Sequence, residues 1–378
     1  MKFVDEFRDG ALARGIADRI AREVRPERRY NFMEFCGGHT HAISRYGVAD
    51  LLPGTVRMVH GPGCPVCVLP VGCIDAAIGL ALERGVTLCT YADTLRVPAS
   101  GHKSLLKAKA AGADVRMVYS AADALRIARD EPDREVVFFA IGFETTTPAT
   151  ALVLLAAERA GLGNFSVFCN HVLTPAAIAA LLDSPQARAI GTVPLDGFVG
   201  PAHVSCVIGS APYERFAEAY AKPVVIAGFE PLDVMQAVLM LVRQVNDGRH
   251  EVENEYIRAV TREGNARARA VMGEVFERRP SFEWRGLGEL PDSALRLRDR
   301  FRRFDAEARY DIVIRMVPDA KGCDCGAILR GAKEPRDCKL FGTVCTPDNP
   351  VGSCMVSSEG ACAAWYSYGR FRRAGVAA

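Results

Sequence analysis

Short apolar runs alternate with amphipathic stretches along most of the chain. In the first thirty residues Phe3, Phe7, Leu12, Ile16 and Ile20 recur at helical spacing, which predicts one helix with an apolar face. From residue 30 a unit of apolar run, turn and helical pattern repeats. Residues 30–35 lead into Cys36-Gly37-Gly38, with a helical pattern from about His41. Residues 56–59 lead into Gly61-Pro62-Gly63-Cys64-Pro65, with a helical pattern over 74–84. Residues 87–91 and 115–119 read as further buried strands. Residues 136–141 run into Gly142-Phe143-Glu144 and then a long apolar helix through Glu158. Residues 165–169 precede Asn170 and His171, and 223–227 precede Gly228-Phe229-Glu230.

Strands alternating with helices predict an α/β fold with parallel sheets covered on both faces. Two parallel-sheet α/β domains are expected, one over 30–120 and a second over 121–231. After residue 232 the periodicity turns helical, over 234–245, 251–260 and 267–276. Together with residues 1–29 this part is expected to form a mostly helical third domain, reaching to residue 378. From Ile312 onward Gly, Pro and Cys dominate with little periodicity, as in segments held by a metal centre or crosslinks. Functional groups of parallel sheets collect at the carboxyl ends of the strands. Cys36, Cys64, Glu144, His171 and Glu230 all follow expected strand ends.

Composition narrows the function classes. A chain of 378 residues is too long for one ordinary core. With 49% hydrophobic and 24% charged residues it reads as a soluble globular protein. Lys+Arg 47 against Asp+Glu 45 leaves a net charge of +2, so neither nucleic acid nor a membrane is expected as a partner. The Arg-rich stretch over 262–303 is interleaved with acids and reads as a solvated helix face. No secretory signal opens the chain, and apolar stretches such as 149–157 fall short of the roughly 18–20 residues of a membrane span. A cytoplasmic location is expected, where thiols stay reduced. Thirteen cysteines in that setting point to metal or redox chemistry.

Six of those cysteines fall within forty residues: Cys323, Cys325, Cys338, Cys345, Cys354 and Cys362. Four thiolates suit tetrahedral zinc or a cubane iron–sulfur cluster. Zinc sites pair cysteines two to four residues apart, and the wider gaps here favour the cluster. Six thiols for four positions leave two over, either inert or a redox pair beside the cluster.

Near the N-terminus, Cys64-Pro65-Val66-Cys67 places two thiols in a C-x-x-C arrangement within a Gly/Pro loop, a pattern of redox pairs that zinc sites share. Cys36-Gly37-Gly38-His39-Thr40-His41 sets one thiol and two imidazoles within six residues, enough to hold a transition metal with positions left open. A glycine turn around a buried cysteine accounts for the same residues. Two cysteine loops after successive strands of one sheet, however, emerge at the same edge. Glu144, at the start of Glu144-Thr145-Thr146-Thr147-Pro148, is either an acid–base group of the same cleft or part of a helix cap. His171 and His203 carry the same two readings, acid–base group or structural residue, with a satisfied structural histidine the safer for each. Cys73, Cys89, Cys169 and Cys206 read as core.

Taken together, the Cys36–His41 string, the Gly61–Cys67 string, Gly142 through Pro148, and the Asp337-Cys338-Lys339-Leu340-Phe341-Gly342 segment with its trailing cysteines resemble the hydrogenase maturation factor HypD family. The resemblance runs from Phe32 to Trp365. It implies assembly of the iron centre of [NiFe]-hydrogenases, which carries two cyanides and one carbon monoxide. It further implies two partners, a HypC-like chaperone and a HypE-like cyanide donor. Within that family the transient iron falls on Cys36, with His39 close by, and the redox-active pair on Cys64 and Cys67. The family's cluster intervals of 14, 6 and 16 residues assign the [4Fe–4S] ligands to Cys323, Cys338, Cys345 and Cys362. Cys325 and Cys354 remain as a thiol pair beside the cluster. The expected mechanism is an electron relay from cluster to thiols to the iron site; a passive iron-holding scaffold and a protein disulfide reductase are the alternatives.

Overall fold

A computed structural model describes residues 4–183 and 194–369. Among these residues nine strands pair in parallel. In chain order they are β1 (Tyr30–Glu34), β2 (Val56–His60), β3 (Thr87–Thr90), β4 (Val115–Met117) and β5 (Val136–Gly142), then β6 (Phe165–His171), β7 (Gly197–Pro201), β8 (Val224–Ala227) and β9 (Val252–Asn254). The first sheet runs β2–β1–β7–β8–β9 and the second β4–β3–β5–β6, each with helices between its strands. This is the expected α/β architecture with two parallel sheets. Every residue of β5 and β6 is buried, as a continuous apolar run covered on both faces requires.

Strand membership cuts across the order of the chain. Residues 30–60 and 197–254 build the first sheet, and 87–171 between them build the second. The expected boundary at residue 120 therefore falls inside the second sheet, between β4 and β5. Periodicity shows where strands are, while pairing depends on which edges meet. β7 docks beside β1 with Phe32, Met33 and Glu34 in register with Gly197, Phe198 and Val199. That strand was not legible, because Gly-Phe-Val-Gly-Pro offers too short an apolar run.

Two expected helices change. Residues 251–260 hold β9 instead, an edge strand whose Val252 pairs with Val224. The N-terminal helix is Gly10–Glu23, capped by the Asp9 carboxylate at 2.7 Å from Ala11 N. Phe7 lies outside it, Leu12 is 58% exposed, and Phe3 lies outside the described residues. Among the described members of that face, Ile16 and Ile20 keep their place in the apolar packing. Helix Pro231–Asp247 covers the first sheet and holds the N-terminal helix through the Arg243–Glu23 ion pair at 2.6 Å. The Tyr30 hydroxyl donates to Asn246 Oδ1 at 2.6 Å from the strand below.

Beyond helix Ala266–Val275 two antiparallel pairs form: β10 (Phe276–Arg278) with β13 (Leu295–Leu297), and β11 (Ser281–Trp284) with β12 (Gly288–Pro291). The Arg-rich stretch is thus largely hairpin. Its arginines reach distant acids, as in Arg300–Glu158 at 2.7 Å and Arg285–Asp319 at 2.6 Å. Arg285 is buried and also donates to the Pro98 carbonyl at 2.9 Å. Arg96 donates to the carbonyls of Pro347 and Val356 at 3.0 and 2.7 Å. These guanidinium contacts tie the cysteine-rich segment to the sheets. Among the described residues no helix is long and apolar enough to cross a membrane.

Candidate functional site

Cys36 leaves the carboxyl end of β1 in extended conformation and caps helix Gly37–Tyr46, its Sγ accepting from Gly38 N at 3.4 Å. The next strand, β2, ends in the second loop. Gly37 N donates to Gly63 O at 3.2 Å, so the loops are joined backbone to backbone. A Cβ on Gly63 would overlap the main chain of Phe35 and Cys36. Only glycine permits so close a crossing. One residue on, Cys64 caps the short helix Pro65–Val68. The sulfurs of Cys64 and Cys67 stand at disulfide distance, with Cα atoms 5.2 Å apart.

A buried carboxylate braces the Cys36 turn from below. Glu34 accepts from Cys36 N at 2.9 Å, from His60 Nδ1 at 2.9 Å and from the Thr40 hydroxyl. Burial raises the Glu34 carboxyl above its ordinary range, and it holds the Cys36 thiol well above its usual value, with the Glu359 charge adding to the effect. At neutral pH Cys36 is therefore a thiol until a metal or a base takes its proton.

The imidazoles divide unexpectedly. His39 Nε2 faces the carbonyls of Ala227 and Gly228 at 3.0 and 2.9 Å, so that nitrogen carries the proton. His41 Nε2 meets the Tyr368 hydroxyl at 3.1 Å on the surface. His203, read from sequence as structural, has Nδ1 at 3.5 Å and Nε2 at 3.8 Å from Cys36 Sγ. It lies just past the end of β7, in helix Ala202–Ile208. The missed strand thus hid the residue. Phe229 packs tilted against both rings, 4.8 Å from His39 and 5.1 Å from His203. Burial pulls both imidazoles down to about 4, which keeps them neutral.

Glu144 follows β5 and hydrogen-bonds neither thiol loop. Its oxygens accept from Thr174 N and Thr174 Oγ1, both at 2.9 Å, which caps helix Thr174–Asp183. Burial pushes its carboxyl up to about 7. The Tyr213 hydroxyl, raised first by its own burial, is near enough to feel both Glu144 and Cys36. His171 bonds Thr150 Oγ1 at 2.9 Å. Cys73, Cys89 and Cys169 are buried as expected. Cys206 is only half-buried, its thiol reaching the Ala259 carbonyl at 3.7 Å.

The six C-terminal cysteines gather. The Cys325 thiol is within hydrogen-bonding reach of Cys323, Cys354 and Cys362. Cys345 lies within electrostatic range of Cys323 and Cys338. Gly352 lets them close in, since a Cβ there would lie 2.5 Å from both Cys323 Sγ and Cys325 Sγ. Among the described residues no three His, Cys, Asp or Glu side chains converge on a single ion. A cubane asks instead for four thiolates, one to each iron. The donor set fits that demand: gathered thiols in a segment with few regular elements of its own.

One stretch joins this segment to the N-terminal loops. Ser353 Oγ donates to Cys67 O at 2.7 Å, a buried bond across 286 residues. Glu359 presses on Gly37, where a Cβ would come 2.9 Å from its Oε2. Helix Ala361–Ala364 then packs on helix Gly37–Tyr46. Residues 353–362 carry Cys354 and Cys362 and touch both thiol loops.

Fold and site define a two-sheet α/β protein whose three cysteine groups share one neighbourhood. The family profile described as "Hydrogenase formation hypA family" matches residues 11–369. The chain is 71% identical to "Hydrogenase maturation factor HypD" of Cupriavidus necator over 98% of each chain. Identity to the protein of that name from Azotobacter vinelandii is 67%, over 100% of this chain and 99% of the relative. To the Escherichia coli protein it is 44%, over 97% and 98%. The chain belongs to the HypD family of hydrogenase maturation factors.

Proposed function

We propose that the protein holds iron on Cys36 while cyanide and carbon monoxide ligands are installed, in company with a HypC-like chaperone and a HypE-like cyanide donor. The observation behind this reading is the meeting of Cys36, the Cys64/Cys67 pair and residues 353–362 at one edge of the first sheet. The names of the relatives supply the hydrogenase context.

Cys323, Cys338, Cys345 and Cys362 are the residues to hold the [4Fe–4S] cluster, which when bound supplies electrons one at a time. Cys325 and Cys354, neighbours within thiol contact, store two electrons as a dithiol. A thiolate of that pair attacks the Cys64–Cys67 disulfide. The exchange leaves Cys325 and Cys354 joined and releases Cys64 and Cys67 as thiols. Cyanide carried in as an oxidised, thiocarboxamide-like group needs two electrons for its release, the capacity of one dithiol. Glu144, poised near neutrality, is the acid–base candidate.

Replacing Cys36 with Ala tests the reading. Iron–cyanide binding should vanish from the infrared spectrum of the anaerobic complex while the cluster's visible absorption persists. Loss of both together would make Cys36 structural. Holding the cluster in one oxidation state separates a relay from a passive scaffold, because only the relay then stalls.

A further inference from the structure

We propose that His203 is the second protein ligand of the iron carried by Cys36, an assignment that rests on the reading of Cys36 as the iron-holding thiolate. A first-row metal bonds sulfur at about 2.3 Å and imidazole nitrogen at about 2.1 Å. Ligand angles between a right angle and the tetrahedral value then set sulfur and nitrogen roughly 3.1–3.6 Å apart. The Cys36 Sγ to His203 Nδ1 distance is 3.5 Å. Its Nε2 stands at 3.8 Å, so both ring nitrogens lie within reach of the same sulfur.

Of the other nearby imidazoles, His39 keeps a buried Nδ1 with no hydrogen-bond partner, but among the described contacts only His203 reaches Cys36 Sγ. His39 Nε2 donates to the Ala227 and Gly228 carbonyls, and His60 Nδ1 is bonded to Glu34. The backbone also holds the pair in place. Cys36 follows β1 and His203 follows β7, and these strands pair directly, with Phe35 N donating to Val199 O at 3.2 Å. Phe229 buttresses the His203 ring.

The binding step balances without redox change. The Cys36 thiol releases its proton to solvent as the iron–sulfur bond forms, and neutral His203 gives a lone pair. Two protein ligands leave the remaining positions of the ion for cyanide, carbon monoxide and a ligand from a partner.

The test uses full-length, cluster-loaded protein, reduced and titrated anaerobically with Co(II), read by thiolate-to-cobalt charge-transfer absorption. The parent should show a Cys36-dependent site, lost in Cys36→Ala. His203→Ala should weaken it at least tenfold, since even outer-shell partners are worth about 10–100-fold. Added imidazole should restore binding to that variant, which lost packing alone cannot explain. Cluster absorption and melting temperature confirm that the variant is folded. Parent-like affinity in His203→Ala, or a loss that imidazole does not rescue, overturns the assignment while leaving Cys36 as iron holder. Parent-like binding in Cys36→Ala overturns both.

Discussion

Adding one methyl group at Gly63 tests whether the thiol loops work only when pressed together. The new Cβ would overlap Cys36 N, Cys36 Cα and Phe35 C, where ordinary contact begins at 3.4 Å. All three atoms are main chain, so no rotamer change relieves the clash. The loops must part by about 1 Å before ordinary contact is restored. That movement takes the Gly37 N to Gly63 O bond from 3.2 Å past useful range. Overpacking costs about 1–3 kcal/mol and the broken bond about 1 kcal/mol, so roughly 2–4 kcal/mol of stability should be lost. Gly63 has no positive φ, so backbone strain adds nothing. A displacement of that size can also lower the yield of a positioned reaction by about 100-fold. Differential scanning fluorimetry of Gly63→Ala should show a melting temperature lower by several degrees. Infrared spectra of its complex should lose most of the cyanide and carbonyl intensity. A parent-like melt with undiminished bands would refute the argument.

Two further outcomes follow from one buried and one half-buried group. The Glu144 carboxyl sits at about 7 when folded against 4.5 ordinarily. Its charging therefore opposes folding increasingly as pH rises from about 4.5 and fully above 7, to the extent of roughly 3 kcal/mol. Urea midpoints of Glu144→Gln should fall less between pH 5 and pH 8 than those of the parent, and equal slopes would reject the mechanism. Arg96→Met leaves the Pro347 and Val356 carbonyls without their guanidinium donor, a loss of about 2 kcal/mol or more. Limited proteolysis should cut near residues 347–356 faster than in the parent, and an unchanged rate would show that other contacts hold the segment.

Which parts of this were legible from sequence depends on the range of the forces involved. Strands with long apolar runs, such as 136–142 and 165–171, announce themselves because burial on both faces demands continuous hydrophobicity. The thiol loops were legible because glycine, proline and cysteine at close spacing carry local geometry. β7 was not, and with it went the partnership of His203 with Cys36. Its five residues make a strand because the edge of β1 is there to receive them, a fact settled by pairing 165 residues away. β9 failed likewise, its three residues taking their conformation from β8. Glu144 was legible as a cap or an acid, and the structure places it on Thr174 without excluding proton transfer.

The interleaving of the two sheets has a temporal consequence. Residues 87–171 form an uninterrupted stretch and can close as soon as they leave the ribosome. β1 must wait for β7, which at ordinary synthesis rates is made on the order of 10–30 seconds later. Throughout that interval Cys36, Cys64 and Cys67 exist as nascent thiols without their seat, exposed to oxidants before the folded protein buries them.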